Sequence, residues 1–154
     1  LLLNNQPSSH PALSRADGLA AGTSDAVLLI GRIMLGFIFL RSGYGKMFDI
    51  GAVAASFPPR GLPAFMAYIS VPAEFFGGMF LILGLATRYV TLMMVVFLLV
   101  ATLSSHRYWE FEAAARRAQD MNFWKNVAIL GGVCFLFVTG AGRFSLDGLL
   151  RKRA

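Results

Sequence analysis

Four stretches of this sequence, at about 26–48, 64–86, 89–105 and 123–139, are apolar over lengths that few water-soluble folds use. About 20 residues rising ~1.5 Å each cross a ~30 Å hydrocarbon layer, so each stretch is long enough, or nearly so, to span a bilayer. None alternates polar and apolar residues as a membrane strand would. In lipid no water is present to satisfy backbone groups, which leaves a helix for each stretch. The expected fold is all-α: an integral membrane four-helix bundle with short loops. Composition agrees, since 56% of the 154 residues are hydrophobic, against about 45–50% in soluble domains.

The segments between the spans divide the chain. Residues 1–25 are rich in Ser, Gly and Pro and read as a flexible polar tail; 26–150 form the four-helix domain; 151–154 are a basic tail. Ser24 or Asp25 could cap the first helix, and Pro63 suits the first position of the second. Only Thr87 and Arg88 separate the second and third spans, which makes those two a tight antiparallel hairpin. The polar segment 106–122 has an Ala-rich centre, with Glu112 four residues before Arg116, and predicts an interfacial helix between helices 3 and 4. At the C-terminus, Ser145 or Asp147 could cap a short helix.

The formal net charge is +6, but the basic residues are scattered and form no stripe of the kind that binds nucleic acid. The expected polyanion is the lipid surface, facing Arg151, Lys152 and Arg153. That cluster favours cytoplasmic termini, although the basic residues on the two sides of the membrane balance. Cys134 is the single cysteine, so it has no partner for an internal disulfide or redox pair and reads as a small buried hydrophobe. His10 and His106 cannot supply two axial haem ligands from within the membrane, and no metal site is expected.

Charge inside the spans is the feature that calls for a function. A turn of 100° per residue aligns Arg32, Gly36, Phe39, Gly43 and Lys46 on one face of the first helix and puts Arg41 on the opposite face. The same construction on the second helix aligns Glu74, Gly78, Leu81, Leu85 and Arg88, with Gly77 nearby. The glycines Gly36, Gly43, Gly77 and Gly78 then permit close helix packing. Glu74 falls near the midplane and needs a cation, for which Arg32, on the glycine face, is the expected partner. Pro72 should free the carbonyl of Tyr68, placing a further polar group nearby. Arg32, Glu74 and Tyr68 thus form a candidate polar or quinone site. The pair also reads as a device that fixes helix register. Lys46, Arg88 and His106 read as interfacial, and a lipid phosphate or neighbouring subunit would be the counter-ion of Arg41.

Four motifs occur in order: R-x3-G-x6-G-x2-K (Arg32, Gly36, Gly43, Lys46), G-x-P (Gly61, Pro63), E-x2-GG-x2-L-x2-G-x3-R (Glu74 to Arg88) and G-x-G-x2-SLD (Gly140 to Asp147). Together they resemble the DoxX family of small bacterial membrane proteins over about 27–150. The resemblance implies a multi-pass inner-membrane bundle tied to respiratory or redox-defence systems. Relatives include a subunit of thiosulfate:quinone oxidoreductase and members that assemble with redox-protective enzymes. The leading expectation is an accessory subunit that contacts quinone, holds no cofactor of its own and works with membrane partners. The alternatives are a non-enzymatic assembly subunit and a small-solute or ion pathway.

Overall fold

The computed structural model describes residues 11–152. Expectations placed on residues 1–10, including His10, and on 153–154 lie outside the described residues. In chain order the helices are α1 (Pro11–Met47), α2 (Ile50–Ala55), α3 (Ala67–Leu83), α4 (Thr87–Ser105), α5 (Ala113–Thr139) and α6 (Leu146–Arg151). Short 3-10 turns at Pro58–Arg60, Ala64–Met66 and Tyr108–Glu110 join them. Four of the segments are long and apolar enough to cross a membrane, and no strand occurs among the described residues.

The first helix departs most from expectation. α1 begins at Pro11, so 11–25 is helix and not a flexible tail. Its alanines favour helix, and Gly18 and Gly22 face open space, where they crowd nothing. Ser24 and Asp25 are therefore inside the helix and cap nothing there: Ser24 Oγ donates to the Ala21 carbonyl at 3.1 Å. At 37 residues, α1 is about 55 Å long and overhangs the ~30 Å hydrocarbon layer. It stops at Met47, and the chain restarts at Asp49, whose carboxylate accepts the Ala52 N–H at 3.1 Å and caps α2.

α1 and α3 pack antiparallel through their glycines. A Cβ on Gly36 would lie 2.5 Å from the Gly78 carbonyl oxygen, and one on Gly43 would lie 2.6 Å from the Phe75 nitrogen. Gly78 is equally tight against Leu40, whereas Gly77 accommodates Met93 and Met94 of α4. Phe39, Leu81, Met94, Leu98, Val133 and Leu136 complete the core between α1, α3, α4 and α5.

The α3/α4 hairpin forms, but its turn is made by residues 84–86, with Gly84 and Ala86 at positive φ, 64° and 49°, while Thr87 and Arg88, expected in the connection, open α4. Pro63 precedes the 3-10 turn at Ala64–Met66 instead of opening α3. The Ala-rich segment after Glu112 is helical but is not a separate interfacial helix: it runs unbroken into the last span as α5, because nothing between Ala113 and Thr139 interrupts the helix. Tyr108, Trp109, Phe123 and Trp124 meet edge to face beside this helix start, an aromatic cluster suited to the membrane edge. Cys134 is exposed on α5 and does not join the core.

Candidate functional site

Side chains on a helix lean toward its N-terminus. On α1 that direction is toward the chain termini; on antiparallel α3 it is toward the 57–66 loop. Lys46, near the end of α1, therefore leans inward, and Glu74, midway along α3, leans out to meet it. The Lys46 Nζ and Glu74 Oε2 atoms are 2.6 Å apart. The carboxylate side chain is 6% exposed and the lysine 41%. Lys46, expected at the headgroups, is thus the partner that Arg32 was expected to be.

Arg32 leans away from Glu74 and does a different job. Its side chain is fully buried, and its guanidinium donates to the carbonyls of Leu81 at 3.5 Å, Ile82 at 3.3 Å and Phe144. The last carbonyls of a helix have no partner within it, and Arg32 supplies one for α3 while tying down the C-terminal turn. Asp147 completes the arrangement. Its two carboxylate oxygens accept the Ala86 and Thr87 N–H groups at 2.8 and 2.9 Å, capping α4 from across the chain. Its own N–H donates to the Gly84 carbonyl at 2.9 Å. Burial pushes the Asp147 carboxyl up, but hydrogen bonds from Thr87 and Ala86 and the charge of Arg151 outweigh it and hold the group below its ordinary value. Ser145 caps α6, accepting the Gly148 N–H at 3.0 Å. Asp25 accepts the Arg143 N–H at 2.8 Å, which joins α1 to the same turn.

The Lys46/Glu74 pair stands where two clefts meet. One, of about 290 Å³, lies between α3, α4 and the 57–66 loop; its walls are mainly apolar, among them Val71, Met93, Val96 and Phe97. Arg60 spans its rim to Ser105, Nη1 to Oγ, at 3.2 Å. The other, of about 160 Å³, lies between α1, α4 and α5 and is more polar, with Ser42, His106, Lys125 and Asn126 in its walls. There His106 Nδ1 is 2.8 Å from Gln119 Oε1, and Asn126 donates to Thr102 Oγ1 at 3.1 Å.

Of the residues singled out in the sequence, Glu74 alone of the candidate trio borders these clefts. Arg32 serves the opposite end of α3. Tyr68 is 56% exposed and lines neither cleft, because its position on α3 turns it outward, so it is not part of the site. Arg88 reaches the last turn of α5, donating to the Val138 carbonyl at 3.5 Å. Lys125, Asn126 and Ser42 were not anticipated. They lie in helix stretches whose neighbours depend on the three-dimensional register of α5 against α1. Among the described residues no three His, Cys, Asp or Glu side chains gather to hold a metal ion.

Comparison with known proteins assigns the chain, though not its site, to a family. The DoxX family model matches residues 27–107, from the membrane-spanning part of α1 to just past α4. The chain is 30% identical over 129 residues to the inner membrane protein YqjF of Escherichia coli, an alignment covering 84% of this chain and 95% of that protein. It is 32% identical to Escherichia coli inner membrane protein YphA, over 79% of this chain and 88% of the relative. A "Putative oxidoreductase CatD" of Bacillus subtilis is 34% identical over 76 residues, 49% of this chain and 57% of that one. No solved structure matches. The family match over more than half of the chain, together with the long alignments to these two inner membrane proteins, establishes that the chain is a multi-pass membrane protein belonging to the DoxX family.

Proposed function

We propose that the protein is a quinone-interacting accessory subunit of a redox system in the bacterial inner membrane. The observation that carries this reading is the Lys46/Glu74 pair at the inner end of a mainly apolar 290 Å³ cleft. Small-molecule sites are concave, mostly apolar and oriented by a few polar groups, and this cleft is near the lower end of the usual range of about 300–1,000 Å³. It suits a single-ring headgroup. Lys46 has N–H groups free to donate to a ring carbonyl beyond the one it gives Glu74. Glu74 holds that ammonium in place, and Val71, Met93 and Phe97 supply apolar walls beside it. A quinone carries electrons and protons between partners, and the electrons would come from an associated enzyme. The oxidoreductase named among the relatives accords with such a role.

The test is extraction of lipids from protein purified out of its native membrane. Quinone is expected to copurify near one per chain, to fall about tenfold or more in Ala73→Trp, which fills the cleft, and to fall in Glu74→Gln. An empty wild-type bundle, or equal retention by both variants, would overturn the proposal. In this reading the termini face the cytoplasm, where Arg151 and Lys152 meet anionic lipid.

A second reading, an assembly subunit, rests on the exposed N-terminal part of α1, which extends past the bilayer as a surface for a membrane-associated protein. Native mass spectrometry in mild detergent should then find a stable heteromer that is lost when residues 1–22 are removed; an unpartnered chain would refute it.

A further inference from the structure

A third cavity opens sideways on the outward face of α1 where it meets α2 and α5, adjoining the polar cleft through Ile38, Ser42, Lys46 and Lys125. It is a groove of about 1000 Å³ whose lining includes Met34, Phe37, Ile38, Arg41, Asp49 and Lys125. Met34 is 70% and Phe37 56% exposed, so the apolar part faces the membrane with nothing over it. The charges are as uncovered as the apolar groups. Among the described residues the ion pairs are Lys46 with Glu74 and Arg107 with Glu110, so neither Arg41 nor Lys125 has a carboxylate. Lys125 donates only to the neutral Asn122 side chain, at 2.9 Å. The acid in the groove, Asp49, already uses Oδ1 to cap α2. Lys46 also borders the groove, but its ammonium is held by Glu74.

We propose that this groove binds one anionic phospholipid, its phosphate between Arg41 and Lys125 and its acyl chains along Ile38, Phe37 and Met34. Three observations converge on that occupant. An arginine in a membrane-spanning stretch is costly unless it meets an anion or reaches the headgroups. Guanidinium pairs with a phosphate diester through two parallel N–H bonds, and the lysine adds a point charge beside it. The groove also has the polarity order of a lipid. α1 runs from the termini toward the loop end, so Ile38, Phe37 and Met34 lie progressively deeper than Arg41. Lys125 lies at the loop end, next to Asn126, which reaches Thr102 in the last turn of α4. A zwitterionic lipid carries its own ammonium and offsets less of this charge, so the preference is for a net anionic headgroup. The groove meets the apolar cleft at Lys46 and Val53, but Arg41 and Lys125, which hold the phosphate, are not in that cleft's walls, so the site does not depend on quinone binding.

The experiment is native mass spectrometry of the full chain released from vesicles of phosphatidylglycerol mixed equally with phosphatidylcholine. Wild type should retain one phosphatidylglycerol with roughly tenfold preference, and Arg41→Gln/Lys125→Gln should lose that preference while Arg41→Lys/Lys125→Arg keeps most of it. Lys125→Gln alone, an exposed change that leaves the buried bundle untouched, should weaken retention severalfold and serves if the double variant does not fold. Equal retention of the two lipids, undiminished retention in Lys125→Gln, or a homodimer that covers the groove and excludes lipid would each overturn the proposal.

Discussion

At the scale of single residues, Arg32, Arg41 and Lys46, the cations in the membrane-spanning part of α1, have three fates, set by where each side chain leans. Periodicity alone identifies the buried face, and Arg32, Gly36, Phe39 and Gly43 are indeed buried. It does not say which cation reaches Glu74. Matching residues by depth selects Arg32, whereas the N-terminal lean of helical side chains selects Lys46. The Lys46/Glu74 pair is unequally buried, which predicts unequal mutations. Lys46→Met strands a carboxylate that is 6% exposed and should cost about 3 kcal/mol or more. Glu74→Gln leaves a half-exposed lysine free to reach water and should cost about 1 kcal/mol. Denaturant unfolding in detergent measures both, and a larger loss for the glutamine variant would contradict the geometry. Arg32→Lys replaces a planar fork that reaches carbonyls on two segments with a single compact ammonium on a shorter stem, and should lose about 2 kcal/mol.

At the scale of helices, four spans and one hairpin were legible because length and hydropathy are local properties of sequence. The ends were not. Whether 11–25 joins α1 depends on a small preference of alanine-rich sequence for helix over coil, and apolarity is silent on it. The cap on α4 was invisible for another reason: it comes from Asp147, far along the chain, when a nearby residue would be the usual source. Glycine contacts give a graded test. Gly78→Ala forces α1 and α3 apart and should cost about 1–3 kcal/mol, whereas Gly131→Ala on α5, with nothing within 4 Å, should be neutral or slightly stabilising. Thermal unfolding separates the two.

The cap is also pH-sensitive, with a definite sign. The Asp147 carboxyl is held below its ordinary value in the folded protein, so the stability it adds is complete above the unfolded pKa near 3.9 and is lost as pH falls through the lower folded value. The difference in melting temperature between wild type and Asp147→Asn should be constant from pH 7 to about 5 and narrow below about 4. A gap that widens on acidification would show that the carboxylate is not the group responsible.

At the scale of the whole molecule, the two ends of the bundle are built differently. The loop end carries the clefts, the groove and most of the polar side chains that have room for a ligand. The terminal end is closed by hydrogen bonds that draw on α1, the α3/α4 hairpin and the C-terminal turn at once. The motifs read in the sequence fall at both ends, since Lys46 and Glu74 belong to the first and Arg32, Gly84 and Asp147 to the second. A chain cut after Arg143 keeps all four spans and loses Phe144 and Asp147 from this closure. It should still insert, but melt well below wild type, by an amount comparable to removing the α4 cap and one Arg32 bond together, roughly 2–4 kcal/mol.

That closure also sets an order of events during biosynthesis. Its donors and acceptors come from α1, the α3/α4 hairpin and the turn that follows α5, so it cannot form while any of the four spans is still emerging. Until residue 147 leaves the ribosome, the buried guanidinium of Arg32 lacks one of its carbonyls and α4 lacks its cap. A quality-control protease that recognises unsatisfied polar groups in the membrane could therefore tell a chain made past Asp147 from one interrupted before it.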